Sequence, residues 1–142
     1  MFFRKKKLPV VSQHELEAPF ESLRDSILAE ALKQNSDGIQ LVPGAEGTLV
    51  YYRLNGEWQE AARLPAHLHR RVVRVFRAAG GLPPARWSGF EVGLIGFETA
   101  SAGYEAYACF MPTRAGIKIQ IRIFDAAGAP AYLSPMELLQ LF

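Results

Sequence analysis

Three features of this sequence predict an α+β fold, a six-stranded and largely antiparallel sheet covered by helices on one face. Ile117, Ile119, Ile121 and Ile123 alternate with Lys118, Gln120 and Arg122, the period-two pattern of a strand buried on one side. Asn55-Gly56 separates two strand-like runs and tolerates the two positive φ angles that a type I′ hairpin turn requires. Two further segments, residues 19–35 and 65–79, carry apolar side chains at helical spacing.

The elements follow in order. In the first helix Phe20, Leu23, Ile27, Leu28, Ala31 and Leu32 share a face, Pro19 suits the first turn and "NSDG" supplies the stop. Residues 39–43 read as a short strand, "GAEG" as a turn, and residues 48–54 and 57–62 as the hairpin around Asn55-Gly56. The second helix buries Leu68, Val72, Val75, Phe76 and Ala79, sets His67, Arg70, Arg71, Arg74 and Arg77 on the other side, and ends at Gly80-Gly81. Three strands come next. Phe90, Val92 and Leu94 alternate with Glu91, Gly93 and Ile95, residues 104–111 alternate less cleanly, and the isoleucine strand closes the sheet. In "LSPMELLQLF" Ser134 and Glu137 form a capping box with Pro135 at the first helical position. A helix that short needs a surface for Leu138, Leu141 and Phe142. The expected layout is a basic, flexible N-terminus over residues 1–16, one α+β domain over 17–125, and a linker with a short helix over 126–142.

Composition fits one folded domain. At 142 residues, 49% hydrophobic and 21% charged, the chain can bury a core. A net charge of +2 does not call for nucleic acid, no apolar run reaches membrane-spanning length, and the single Cys109 fits a reducing compartment, so a cytoplasmic protein without a membrane span is expected. Arg4, Lys5, Lys6 and Lys7 after Phe2 and Phe3 read as a solvated terminus.

Catalytic chemistry is sparse. His67 and His69 stand two apart on a helix, pointing away from each other, and with His14 read as isolated surface histidines and not as metal ligands. Cys109 reads as a buried structural thiol, and no G-x-x-x-x-G-K-[ST] loop is present to cradle phosphate. The expectation is a non-enzyme with no catalytic residue, metal or cofactor. The basic character is concentrated between Ala61 and Trp87, which hold six arginines and no acid. Of these, Arg70, Arg74 and Arg77 are the candidate contacts for an acidic protein partner, with Leu138, Leu141 and Phe142 as candidate apolar contacts.

Four segments also occur in a telling order: "SDGIQLVP" (36–43), "VYYRLNGEW" (50–58), "LPAHLHRRVVRVFRAAGGL" (64–82) and "MPTRAGIKIQIRIFD" (111–125). Together they resemble the PAS-like N-terminal domain of type II secretion and type IV pilus assembly ATPases. The corresponding family segments read A-S-D-I-H-I-E-P, V-R-x-R-I-D-G, P-x-x-L-x-x-x-L-V-x-R-I-K-x-M-A-G-L and L-P-T-x-x-G-E-x-V-V-x-R-L-L-D. The resemblance implies a PAS-like sheet and a place in a secretion or pilus machine. It also implies a free-standing chain, since the family's motor domain would follow Phe142. Where the family presents nucleotide-facing arginines, this chain has Glu91 and Tyr107, and the family's first-strand Asp and later Glu are Gly38 and Ile117. The expected function is a non-catalytic interaction or regulatory module that binds a secretion or pilus ATPase or a cytoplasmic scaffold. The alternative is a PAS-like sensory domain holding a small apolar ligand among Phe90, Tyr104, Tyr107 and Phe110.

Overall fold

The computed structural model describes residues 17–83 and 89–125. The candidate contacts Leu138, Leu141 and Phe142, the helix announced by Ser134, His14 and the basic start all lie outside the described residues.

Two three-stranded meanders make one sheet. The chain forms α1 (Glu17–Lys33), β1 (Gly38–Gly44), β2 (Gly47–Leu54), β3 (Glu57–Leu64), a 3₁₀ turn (Ala66–Leu68), α2 (His69–Ala79), β4 (Glu91–Glu98), β5 (Gly103–Thr113) and β6 (Gly116–Asp125). The six strands run in the order β3-β2-β1-β6-β5-β4, every neighbouring pair antiparallel. The meanders meet where β1 pairs with β6, and α2 carries the chain from one edge strand to the other. The turns are those the residues demand. Asn55 and Gly56 adopt φ of 53° and 80°, the type I′ signature.

The core is a layer between the sheet and the two helices. Register aligns Ile39 with Tyr52 and Ile121, and Leu41 with Val50 and Ile119, so one sheet face is continuously apolar. Phe20, Ile27, Leu28 and Ala31 of α1 and Val72, Val73, Val75 and Phe76 of α2 complete it. Tyr52 Oη donates to the Ile27 carbonyl at 2.9 Å, satisfying a hydroxyl that burial would otherwise penalise. Asn35, at φ 59°, closes α1: its N–H donates to the Leu32 carbonyl and that of Ser36 to Ala31, the pairing of a Schellman stop.

One strand departs from simple alternation, and another alternates with a glycine on its inward face and a leucine outside. In β3 a bulge opposite Val50 and Tyr51 turns both Ala61 and Ala62 inward. In β4 it is Gly93 and Ile95 that face the helices, while Leu94 stays 46% exposed. The cause is the approach of α2: a Cβ on Gly93 would stand 2.7 Å from the Gly80 carbonyl oxygen, so only glycine lets the helix end rest on the strand backbone.

Candidate functional site

The basic helix is where charge and exposure coincide. His67, Arg70, Arg71, Arg74 and Ala78 are all exposed, at the i, i+3, i+4, i+7, i+11 spacing that puts side chains on one stripe. Val72, Val73, Val75 and Phe76 occupy the opposite, buried side. The Arg71 guanidinium lies 5.9 Å from the centroid of the Phe20 ring, so α1 helps to hold it. Among the described residues no ion pair involves Arg70, Arg71 or Arg74. No acid stands in the first turn of α2 either, so no residue of that turn offsets Arg70 and Arg71 at the positive end of the helix dipole. Each such placement costs about 0.3–1 kcal/mol.

Arg77 does not belong to this face. Seven residues after Arg70 it has nearly the same helical phase, yet its side chain is fully buried. The reason lies in the helix stop. Gly81, at φ 76°, turns the chain back so that the Leu82 N–H donates to the Arg77 carbonyl and that of Gly81 to Ala78. The returning strand end then roofs the guanidinium: Nε and Nη2 donate to the Pro83 carbonyl at 3.0 and 2.7 Å, and Nη1 to Glu91 Oε1 at 2.7 Å. Its Cζ sits 5.6 Å from the centroid of the Phe110 ring, and Phe110 stands opposite Glu91 in the β4–β5 pair. Arg77 therefore fastens α2 to β4, and Arg71 takes its place on the surface. The i+4 step from His67 points to Arg71 in the sequence, whereas the roof over Arg77 comes from chain reversal and has no periodic signal.

His69 is likewise not a surface histidine. It is 8% exposed, between Nδ1 at 2.7 Å from Thr48 Oγ1 and Nε2 at 2.6 Å from the Ile117 carbonyl. A carbonyl only accepts, so Nε2 carries the proton and the Thr48 hydroxyl donates to Nδ1. The side chain thus clips α2 to β2 and β6 in its neutral form. Burial lowers its pKa below the ordinary 6.5. The unfolded chain then takes up the proton more readily, so folding stability should be level above about pH 7 and fall as pH drops below about 6.5. Urea midpoints at pH 7.5 and 5.5 test this; His69→Gln should remove most of the difference.

The opening hairpin anchors its arginine internally. Arg53 Nε and Nη2 donate to the two Asp37 carboxylate oxygens at 2.9 and 2.7 Å, and that hydrogen-bonded guanidinium holds the Asp37 carboxyl below its ordinary range. Trp58 lies across Gly38, where a Cβ would come within 3.0 Å of its ring. Cys109 is buried in β5, and burial pushes its thiol up to about 12. Among the described residues no three of His, Cys, Asp and Glu gather as a metal site, and no helix is long and apolar enough to cross a membrane.

The aromatic residues suggested for a ligand pocket do not converge. Phe110 is buried under α2, Tyr104 stacks on Phe97 at 5.6 Å, Tyr107 packs edge-on against Phe124, and Phe90 is 46% exposed. Odd spacing between Tyr107 and its neighbours Tyr104 and Phe110 sends them to opposite sides of the strand.

No family model matches the chain, and no curated protein does. Among solved structures, a crystal structure of the pilus retraction motor PilT with bound ADP is similar at 17% identity and a TM-score of 0.47. That likeness covers 77% of this chain and 29% of the PilT chain, so the chain spans less than a third of that motor's length.

Proposed function

We infer that this chain is a non-catalytic interaction module related to the N-terminal domain of secretion and pilus assembly ATPases, which binds an acidic surface on a protein of such a machine. One observation carries the binding reading: an exposed cationic stripe begins at the N-terminal end of α2, whose first turn holds no acid, and among the described residues no ion pair involves Arg70, Arg71 or Arg74. The arrangement destabilises the isolated helix slightly and rewards a partner that brings carboxylates to it.

Kinship is supported by where the four resembling segments fall. They occupy β1, the β2–β3 hairpin, α2 with its flanking turns, and the β5–β6 hairpin. The two positions at which the family presents arginines to nucleotide serve the fold in this chain: Glu91 pairs with Arg77, and Tyr107 packs on Phe124. An acidic side chain held by an internal arginine offers no grip on phosphate.

Two measurements test this reading. Calorimetry with magnesium and ATP should give no micromolar binding. Affinity capture from source cells should retain a secretion or pilus component from wild-type chain and lose it from the Arg70→Glu/Arg71→Glu/Arg74→Glu variant. Micromolar ATP binding would refute the non-catalytic part, and equal recovery the docking part.

A further inference from the structure

Among the described residues the sheet ends in two edge strands of different character. β3 carries the exposed charges Glu57, Glu60 and Arg63 and the bulge opposite Val50 and Tyr51, two devices that discourage pairing with another chain. β4 has neither. Its register with β5 runs unbroken from Glu91 opposite Phe110 to Glu98 opposite Gly103, and it contains no Lys, Arg or Pro. Its two carboxylates stand at its ends, and Glu91 is already paired with Arg77. Between them Leu94 is 46% exposed, and a Cβ on Gly96 would meet nothing within 4 Å. Phe90, at the entrance to the strand, is equally exposed.

We propose that the outer edge of β4 pairs antiparallel with β4 of a second copy of this chain, about a two-fold axis through Leu94, joining two six-stranded sheets into one. The chemistry of the strand is self-complementary. A two-fold perpendicular to the sheet keeps both helix layers on one side, and it can only set opposite each other residues separated by an even number. Glu91 and Glu98 are an odd distance apart, so they never meet across such a pair. In the register centred on Leu94, the two Leu94 side chains cover each other and Val92 stands over the bare Gly96. Phe90 meets Glu98, Phe97 meets Glu91, and no like charges are opposed. The contact is smaller than the roughly 1,600 Å² of a standard stable interface, so the dimer is weak and concentration-dependent. It uses none of the α2 stripe and is independent of the proposed acidic partner.

Sedimentation velocity on the full chain from about 1 to 500 μM reads this directly, on the millimolar-to-micromolar range expected of small interfaces. The expected result is reversible dimerisation that disappears in Leu94→Lys and persists in Gln59→Lys on the other edge. Both positions are exposed, and circular dichroism with urea melts confirms that the variants fold. Residues facing each other at a two-fold stand within disulfide reach, so Leu94→Cys should give a cross-linked dimer on mild oxidation and Glu60→Cys should not. The buried Cys109 does not compete. A chain that stays monomeric, a dimer that survives Leu94→Lys, or a β4 edge that takes an extended peptide while the chain remains monomeric would each overturn the proposal.

Discussion

Arg77→Met is expected to destabilise the chain by about 3–5 kcal/mol, the cost of breaking a buried ion pair from one side. Methionine keeps the volume of the aliphatic stem but leaves Glu91, whose side chain is 16% exposed, without its cation, and the Pro83 carbonyl without two donors. Adding Glu91→Gln should return much of the loss, because the uncompensated charge, more than the missing attraction, dominates the single variant. Arg74→Met on the exposed stripe should shift stability by no more than about 0.5 kcal/mol. Urea unfolding of the four proteins measures this contrast, which separates the arginine that builds the fold from those that face outward.

Gly93→Val should cost about 3 kcal/mol, at the upper end of what overpacking usually costs. Besides the carbonyl oxygen, its Cβ would stand 2.9 Å from the Gly80 Cα, and neither backbone atom can yield without moving the end of α2. The same change at Gly96, three residues on, meets open space and replaces a flexible residue by a good strand former. Gly96→Val is therefore expected to be neutral or slightly stabilising. Thermal melts of the pair distinguish a glycine required by close approach from one that is not.

What the sequence reveals follows from where the information is local. The isoleucine strand, the Asn-Gly turn and the apolar stripe of α1 are periodic or turn-type signals, and each appears in the structure within a few residues of its expected bounds. The sheet order is not local. That β1 pairs with β6 follows from packing two meanders under one pair of helices, which no single segment encodes. The same division holds at the candidate site. Arg70 and Arg74 are exposed as their spacing predicts, while Arg77 shares their phase and is buried, because Gly81 folds the following residues over it. Glu91, the first acid after the six arginines, is the one linear hint of that pairing. His69 reads as a surface residue until the sheet brings Thr48 and the Ile117 carbonyl to its two nitrogens.

Docking of an acidic protein on the α2 stripe follows from cationic side chains at a helix N-terminus whose first turn holds no acid. Its most direct test is the rate of association with the captured partner, measured against salt for wild type and for the Arg70→Glu/Arg71→Glu/Arg74→Glu chain. Glutamate at positions 70 and 71 suits the first turn of a helix and offsets the lost Arg71–Phe20 contact, and urea melts of both chains separate lost binding from unfolding. Electrostatic steering accelerates encounter by about 10–10³-fold and weakens steeply with ionic strength. The predicted result is a wild-type rate that falls as salt rises, and a variant rate at least about tenfold slower at low salt with little salt dependence. Equal rates for the two chains at every salt concentration would contradict it.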